Sequence, residues 1–186
     1  MVAGPIDMNN GMFDLRQGHT TRVDESQPVP STLVSEAART LIAFSGVTIL
    51  PDIPEYYRKY PALLNFLSAQ KMPWKESRTL AGEIGEYIVM MRETEDAYLV
   101  GAATNESGRT IDLPLSFLEK GKYTVEVIED GDDAHYLTNR ESLKVTTWQL
   151  TNNDKLALKL APGGGACLVI KKTPSMRVGE QAAFPD

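Results

Sequence analysis

A single cysteine in 186 residues leaves no partner for an intrachain disulfide and no Cys-based metal site. That residue, Cys167, lies in the apolar run Ala166-Cys167-Leu168-Val169-Ile170, where a thiol behaves as a small buried hydrophobe. Basic charge is also short: 19 Lys and Arg stand against 25 Asp and Glu, for a net charge of -6. With no Lys/Arg cluster interleaved with aromatics, this balance argues against nucleic acid as a partner. No run approaches the roughly 18 apolar residues of a membrane-spanning helix. The opening Met1-Val2-Ala3-Gly4-Pro5 lacks the basic and long apolar regions of a signal peptide. Its abrupt, proline-bounded start reads as the middle of something larger.

What is present is the material of a globular core: 42% hydrophobic and 24% charged residues. The chain divides in character at about residue 73. Before it, two helical pieces are expected. In one, Ser31 is the expected cap ahead of Leu33, Ala37, Ala38, Leu41 and Ile42 at helical spacing, with Gly46 as the stop. The short apolar run Val47 to Leu50 follows. Asp52-Ile53-Pro54-Glu55 then reads as a capping box that launches Tyr56, Tyr57 and Tyr60, and after Pro61 come Leu63, Leu64, Phe66 and Leu67. The tyrosines suit a helix packing with half-polar tips better than a sugar-stacking platform. A long polar loop spans residues 14–31.

Residues 74–173 alternate as strands do. Seven runs start at Glu86, Ala97, Thr110, Tyr123, Leu143, Lys155 and Ala166. Turn sequences such as Asn105-Glu106-Ser107-Gly108, Asp130-Gly131-Asp132-Asp133 and Gly163-Gly164-Gly165 separate them. The spacing predicts an antiparallel β-sandwich, with Pro114 at an edge or bulge, Trp148 in the core and Trp74 packed at the junction. Residues 174–186 read as a disordered tail. The acidic turn at Asp130, Asp132 and Asp133 lacks the remaining ligand positions of a calcium loop and reads as a hairpin connection. The triple glycine, followed by neither a helix nor Lys-Ser/Thr, is a turn rather than a phosphate cradle.

Gly4-Pro5-Ile6-Asp7, then a polar loop, a helix and Pro54-Glu55-Tyr56-Tyr57, is similar to the last barrel unit of glycoside hydrolase family 97. Trp74-Lys75-Glu76-Ser77-Arg78 with Gly82, Gly85, Glu86 and Tyr87 resembles that family's junction into its C-terminal sandwich. Tyr98-Leu99-Val100-Gly101, Leu115-Ser116-Phe117-Leu118, Gly121-Lys122-Tyr123 and Glu129-Asp130-Gly131-Asp132-Asp133-Ala134 continue the match in order, and Gly163-Gly164-Gly165 completes it. Lys75 departs from the acidic residue of many members. Met8-Asn9-Asn10-Gly11 departs from the frequent aromatic-Thr-Pro sequence.

The resemblance implies a mainly β fold, in which an antiparallel β-sandwich over 74–173 follows a helical and loop segment, 1–73, like the last unit of a (β/α)8 barrel. It implies an α-glucosidase or α-galactosidase of periplasmic or secreted location, with a calcium ion held by glutamates that lie before this segment, so that neither catalytic carboxylates nor calcium ligands fall on this chain. Glycoside hydrolysis needs two carboxyl groups held about 5 to 9.5 Å apart, and a closed barrel takes about 250 residues. The seventy or so residues ahead of the sandwich cannot close one. Asp7, after the last barrel strand, is the best sugar-facing candidate, with Asn9, Asn10 and Gly11 beside it; a local backbone-capping role competes. His19 reads as a solvated loop residue. An α-linked oligosaccharide is therefore a partner only within a complete enzyme. A homo-oligomer or contact with a missing barrel portion is expected, because the apolar residues Val2, Ile6, Met12 and Phe13 and one face of the helix lack partners. A free-standing carbohydrate-binding sandwich is the alternative.

Overall fold

A computed structural model describes residues 9–15, 29–45 and 48–173. Eight strands form two antiparallel sheets: β1 (Glu76–Glu83), β2 (Tyr87–Glu93), β3 (Tyr98–Thr104), β4 (Arg109–Pro114), β5 (Lys122–Asp130), β6 (Leu143–Thr151), β7 (Lys155–Leu160) and β8 (Gly165–Lys172). The larger sheet has the order β1-β2-β3-β8-β5-β6, and β4 pairs with β7 in a two-stranded sheet laid against it. All seven expected strands are present, and Pro114 ends β4 on an edge. The additional strand is β1, which the sequence presents only as a junction. Its mixed exposure, charges and a bulge between Thr79 and Ala81 hide the period of two.

Strand alternation gives the large sheet two apolar faces. Val89, Met91, Val100, Val125, Val127, Leu168 and Ile170 pack against Ile111, Leu113, Leu156 and Leu158 of the small sheet, making the sandwich core. Tyr123 is fully buried there, with its hydroxyl donating to the Glu119 carbonyl at 2.9 Å. The opposite face, with Leu99, Ile128, Cys167 and Val169, is covered by the helical segment. Cys167 is the buried apolar filler that its surroundings predict.

That segment holds three helices: α1 (Leu33–Ile42), α2 (Pro54–Arg58) and α3 (Pro61–Ser68). The second expected helix is broken at Tyr60, where Pro61 starts a new one. Helix α1 is buried along nearly its whole length, and it lies close enough to the sheet to require glycine. A Cβ at Gly101 would stand 2.8 Å from the Ala38 carbonyl oxygen, and one at Gly165 would stand 2.7 Å from Ser35 Cα. These two strand glycines are the seats of α1.

Both expected caps are corrected. The N-cap of α1 is Thr32, one residue beyond Ser31, and its hydroxyl accepts the Ser35 N–H at 3.2 Å. Helix α2 has Ile53 at its N-cap with no side-chain cap bond. Pro54 has no N–H to satisfy, and Asp52 turns instead to residues 13 and 14. Trp148 is likewise not core: it stands 50% exposed on β6. The strand runs at the edge of the large sheet, where Trp148 borders an open hollow beside β7 rather than filling the core. Trp74 does pack at the junction, with its ring 5.6 Å from that of Phe44. Residues 174–186 and the middle of the 14–31 loop lie outside the described residues.

Candidate functional site

Of the two candidate sugar-facing residues, Asp7 lies outside the described residues and Asn9 is exposed, with Asn10 half-buried beside it. The segment they enter is fixed by polar groups from three places in the chain. Gly11, at φ +92, adopts a conformation that disfavours any side chain. Its N–H donates to Glu36 Oε2 of α1 at 3.3 Å, and its carbonyl accepts the Tyr57 hydroxyl at 3.0 Å. Tyr57 in turn accepts the Asp52 N–H at 3.0 Å. The Asp52 carboxylate takes the N–H groups of Phe13 and Asp14, the latter at 2.8 Å. Phe13, expected to lack partners, is buried with its ring 4.9 Å from Tyr57 and 6.0 Å from Tyr60. Val2 and Ile6, from the same expectation, lie outside the described residues.

The tyrosine reading holds. Tyr57 packs and hydrogen-bonds inward, while Tyr60 donates to Glu141 Oε2 at 2.7 Å. Burial, with the Glu141 carboxylate beside it, pushes the Tyr60 phenol well up.

The acidic turn after β5 separates its three aspartates. Asp132 pairs with Lys159 Nζ at 2.7 Å, whereas Asp133 accepts Ser142 Oγ at 2.5 Å and Asn139 Nδ2 at 2.8 Å. Asp130 is buried. Its Oδ2 accepts the N–H of Ala161 at 3.0 Å and of Gly165 at 2.7 Å, and the Thr32 hydroxyl also bonds to it. Desolvation dominates its environment and raises its pKa to about 6. This aspartate clasps the glycine turn to the start of α1, a role that a sequence full of turn aspartates does not announce.

Arg92 is a second residue the sequence does not signal. It is buried on β2, donating Nε to the Leu41 carbonyl at 3.3 Å and Nη2 to that of Ile42 at 3.1 Å. Its guanidinium lies 4.5 Å from the centroid of the Trp74 ring. Arg92 thereby closes the C-terminal end of α1, where orphan carbonyls and the helix dipole favour a cation.

A hollow of about 520 Å³ lies under the β1–β2 hairpin, lined by Gly82, Ile84, Tyr87, Ile88 and Ala103. Of the two carboxylates that line it, Glu83 and Glu86, the latter is paired with Arg109 at 2.7 Å. Among the described residues no three His, Cys, Asp or Glu side chains converge as a metal would require. These residues therefore do not fit the calcium ion that the resemblance implies. The buried carboxylates Glu36 and Asp130 take backbone N–H groups, as does Asp52.

Comparison with known proteins accounts for this arrangement. Residues 73–171 match the family model described as glycosyl-hydrolase 97 C-terminal, oligomerisation. A retaining α-galactosidase of Bacteroides thetaiotaomicron is 32% identical over 91% of the chain and 26% of the relative. A probable retaining α-galactosidase of Streptomyces bingchenggensis is 27% identical over 71% of the chain and 19% of the relative. Among solved structures, a glycoside hydrolase family 97 enzyme from Pseudoalteromonas sp. strain K8, in complex with acarbose, superposes with a TM-score of 0.84. It shares 30% identity and covers 92% of the chain and 27% of the enzyme. The chain thus spans about a fifth to a quarter of the length of these relatives.

Proposed function

The chain belongs to glycoside hydrolase family 97, in the C-terminal oligomerisation part of it, and from that premise we propose that it is the scaffold and subunit-contact portion of an α-galactosidase or α-glucosidase. The activity resides in the complete enzyme, whose catalytic carboxylates and calcium ligands come from outside this chain. Asp7 and Asn9 face the sugar there, and the anchors at Gly11, Phe13 and Asp14 fix the described segment that follows Asn9. A periplasmic or secreted location goes with the same reading.

The observation that carries the scaffold role is the outer surface of the helical segment. Leu50, Met72 and Trp74 border one hollow of about 260 Å³, Phe44 packs on Trp74, and Ile49 and Ile53 are exposed nearby. Apolar surface of this kind marks an interface, and the rest of a barrel is the partner that its position calls for. A free-standing sugar-binding module fits less well. It needs a planar row of exposed aromatics, and among the described residues Trp148 and the packed Phe44 form no such row.

Hydrolysis of p-nitrophenyl α-galactoside and α-glucoside tests the assignment. The purified chain is expected to turn over neither. Turnover abolished by Asp7→Asn would overturn it, because the chain would then hold a catalytic site of its own.

A further inference from the structure

The large sheet has two outer edges, and they are built differently. β1 is defended in the ways that soluble proteins use against edge pairing. It is bulged between Thr79 and Ala81, and Glu76, Arg78 and Glu83 put charge along it, with Arg78 and Glu76 paired at 2.6 Å. β6 has little of this. Its nine residues, Leu-Lys-Val-Thr-Thr-Trp-Gln-Leu-Thr, include no proline and one charge, Lys144. Its register with β5 runs without a shift from Lys122↔Thr151 to Asp130↔Leu143, and among the described residues no strand pairs with its outer side. Two large apolar side chains stand in solvent on opposite faces of it, Val145 at 44% and Trp148 at 50% exposure. Trp148 borders a hollow of about 320 Å³ between β6 and β7, lined by Val127, Leu150, Leu156 and Leu158.

A long, regular edge rich in β-branched residues templates another strand. We propose that β6 is the contact through which two copies of this chain associate, pairing antiparallel across a two-fold axis so that two six-stranded sheets become one. A second copy is the occupant for two reasons. The matched family region is described as an oligomerisation region, and an antiparallel pair of identical strands is self-complementary, as a closed two-fold interface requires. Edge pairing satisfies the free backbone groups of β6, and the two copies of Val145 and Trp148 gain cover on either side of the joined sheet. The proposal rests on the oligomerisation role given above and assigns its surface.

Sedimentation velocity of the full chain across a concentration series, compared with a Val145→Lys/Thr147→Lys double variant, tests it. The native chain is expected to dimerise, and the variant to raise the dissociation constant by roughly tenfold or more at unchanged far-UV circular dichroism. Cysteine placed in turn at Val145, Thr147 and Gln149 is expected to cross-link at one position at least, since Cys167 is buried and does not compete. A dimer that survives the double variant and is lost instead in Ile49→Lys/Ile53→Lys overturns the assignment while leaving oligomerisation intact. A strictly monomeric native chain overturns both readings. Should the double variant unfold, the cysteine series decides, and no cross-link at any of the three positions overturns the proposal.

Discussion

Asp130 makes the stability of this fold fall as pH rises. Its carboxyl is buried where β5 ends, and desolvation lifts its pKa from 3.8 to about 6. A carboxyl whose folded pKa is raised holds its proton in the folded chain over a range where the unfolded chain has lost it. The contribution of Asp130 to stability is therefore greatest below about 4, declines through the interval up to about 6 and is level above it. A difference of about two units corresponds to about 3 kcal/mol. Asp130→Asn keeps an oxygen to accept the N–H groups of Ala161 and Gly165, and it puts an amide where Oδ1 has no hydrogen-bond partner among the described residues. That substitution carries its own constant cost, but the cost does not titrate.

Urea unfolding followed by circular dichroism at half-unit steps from pH 4 to pH 8 separates the two effects. The stability of the native chain minus that of the variant should drop by about 2.4 kcal/mol between the ends of the range, the remainder of the effect lying below pH 4 and the other carboxyl groups cancelling in the difference. Curves parallel to within about 0.5 kcal/mol would refute the clasp as a titrating group. A difference that grows with pH would refute the sign.

Gly101→Ala is expected to destabilise the chain by about 1 to 3 kcal/mol in the same urea assay, because its Cβ would drive the Ala38 carbonyl off the sheet. A chain beginning at Trp74 should retain its strands but expose Leu99, Ile128, Cys167 and Val169, the face that α1 covers. Its Cys167 should then react with a thiol reagent within minutes, while the native thiol stays protected; equal rates would show that the helical segment does not shield that face.

The strands were legible because each repeats its pattern where burial is one-sided or complete: Lys155–Leu160 alternates residue by residue, and Ala166–Ile170 is apolar throughout. β1 was not legible, since an edge strand with a bulge and ionic side chains carries no periodic signal before its partner β2 is known. Trp148 was misread for the converse reason. An apolar residue at the inward phase of a strand looks like core until its strand is found at the open edge of the sheet, beside a hollow that leaves the ring half exposed. Asp52 looked like a local cap because its spacing to Glu55 fits a capping box. Tertiary folding brought it two better donors, Phe13 and Asp14, with Pro54 beside it offering none. Asn9 and Asp7 stood out only through family likeness, for nothing in their own sequence separates a sugar-facing amide or carboxylate from a turn.

The buried polar groups of this acidic chain tie its distant segments together. Asp52 reaches Phe13, Tyr57 reaches Gly11, Asp130 reaches Gly165, Arg92 reaches Leu41, and Arg140 donates to the Leu15 carbonyl at 2.9 Å. Each partner is a backbone N–H or C=O far along the chain, and each bond pins one segment against another. A general acid or nucleophile needs the opposite arrangement: a carboxyl group aimed into open space at a reacting atom, with a second one across the gap. Ionised groups already held by backbone donors and acceptors are poor at moving protons but good at fixing loops, since breaking one leaves an unpaired buried group costing about 1 to 3 kcal/mol. The segment that follows Asn9 is held by four such bonds, two at Gly11 and one each at Phe13 and Asp14. The position of that segment is therefore set by helices seated on the sheet.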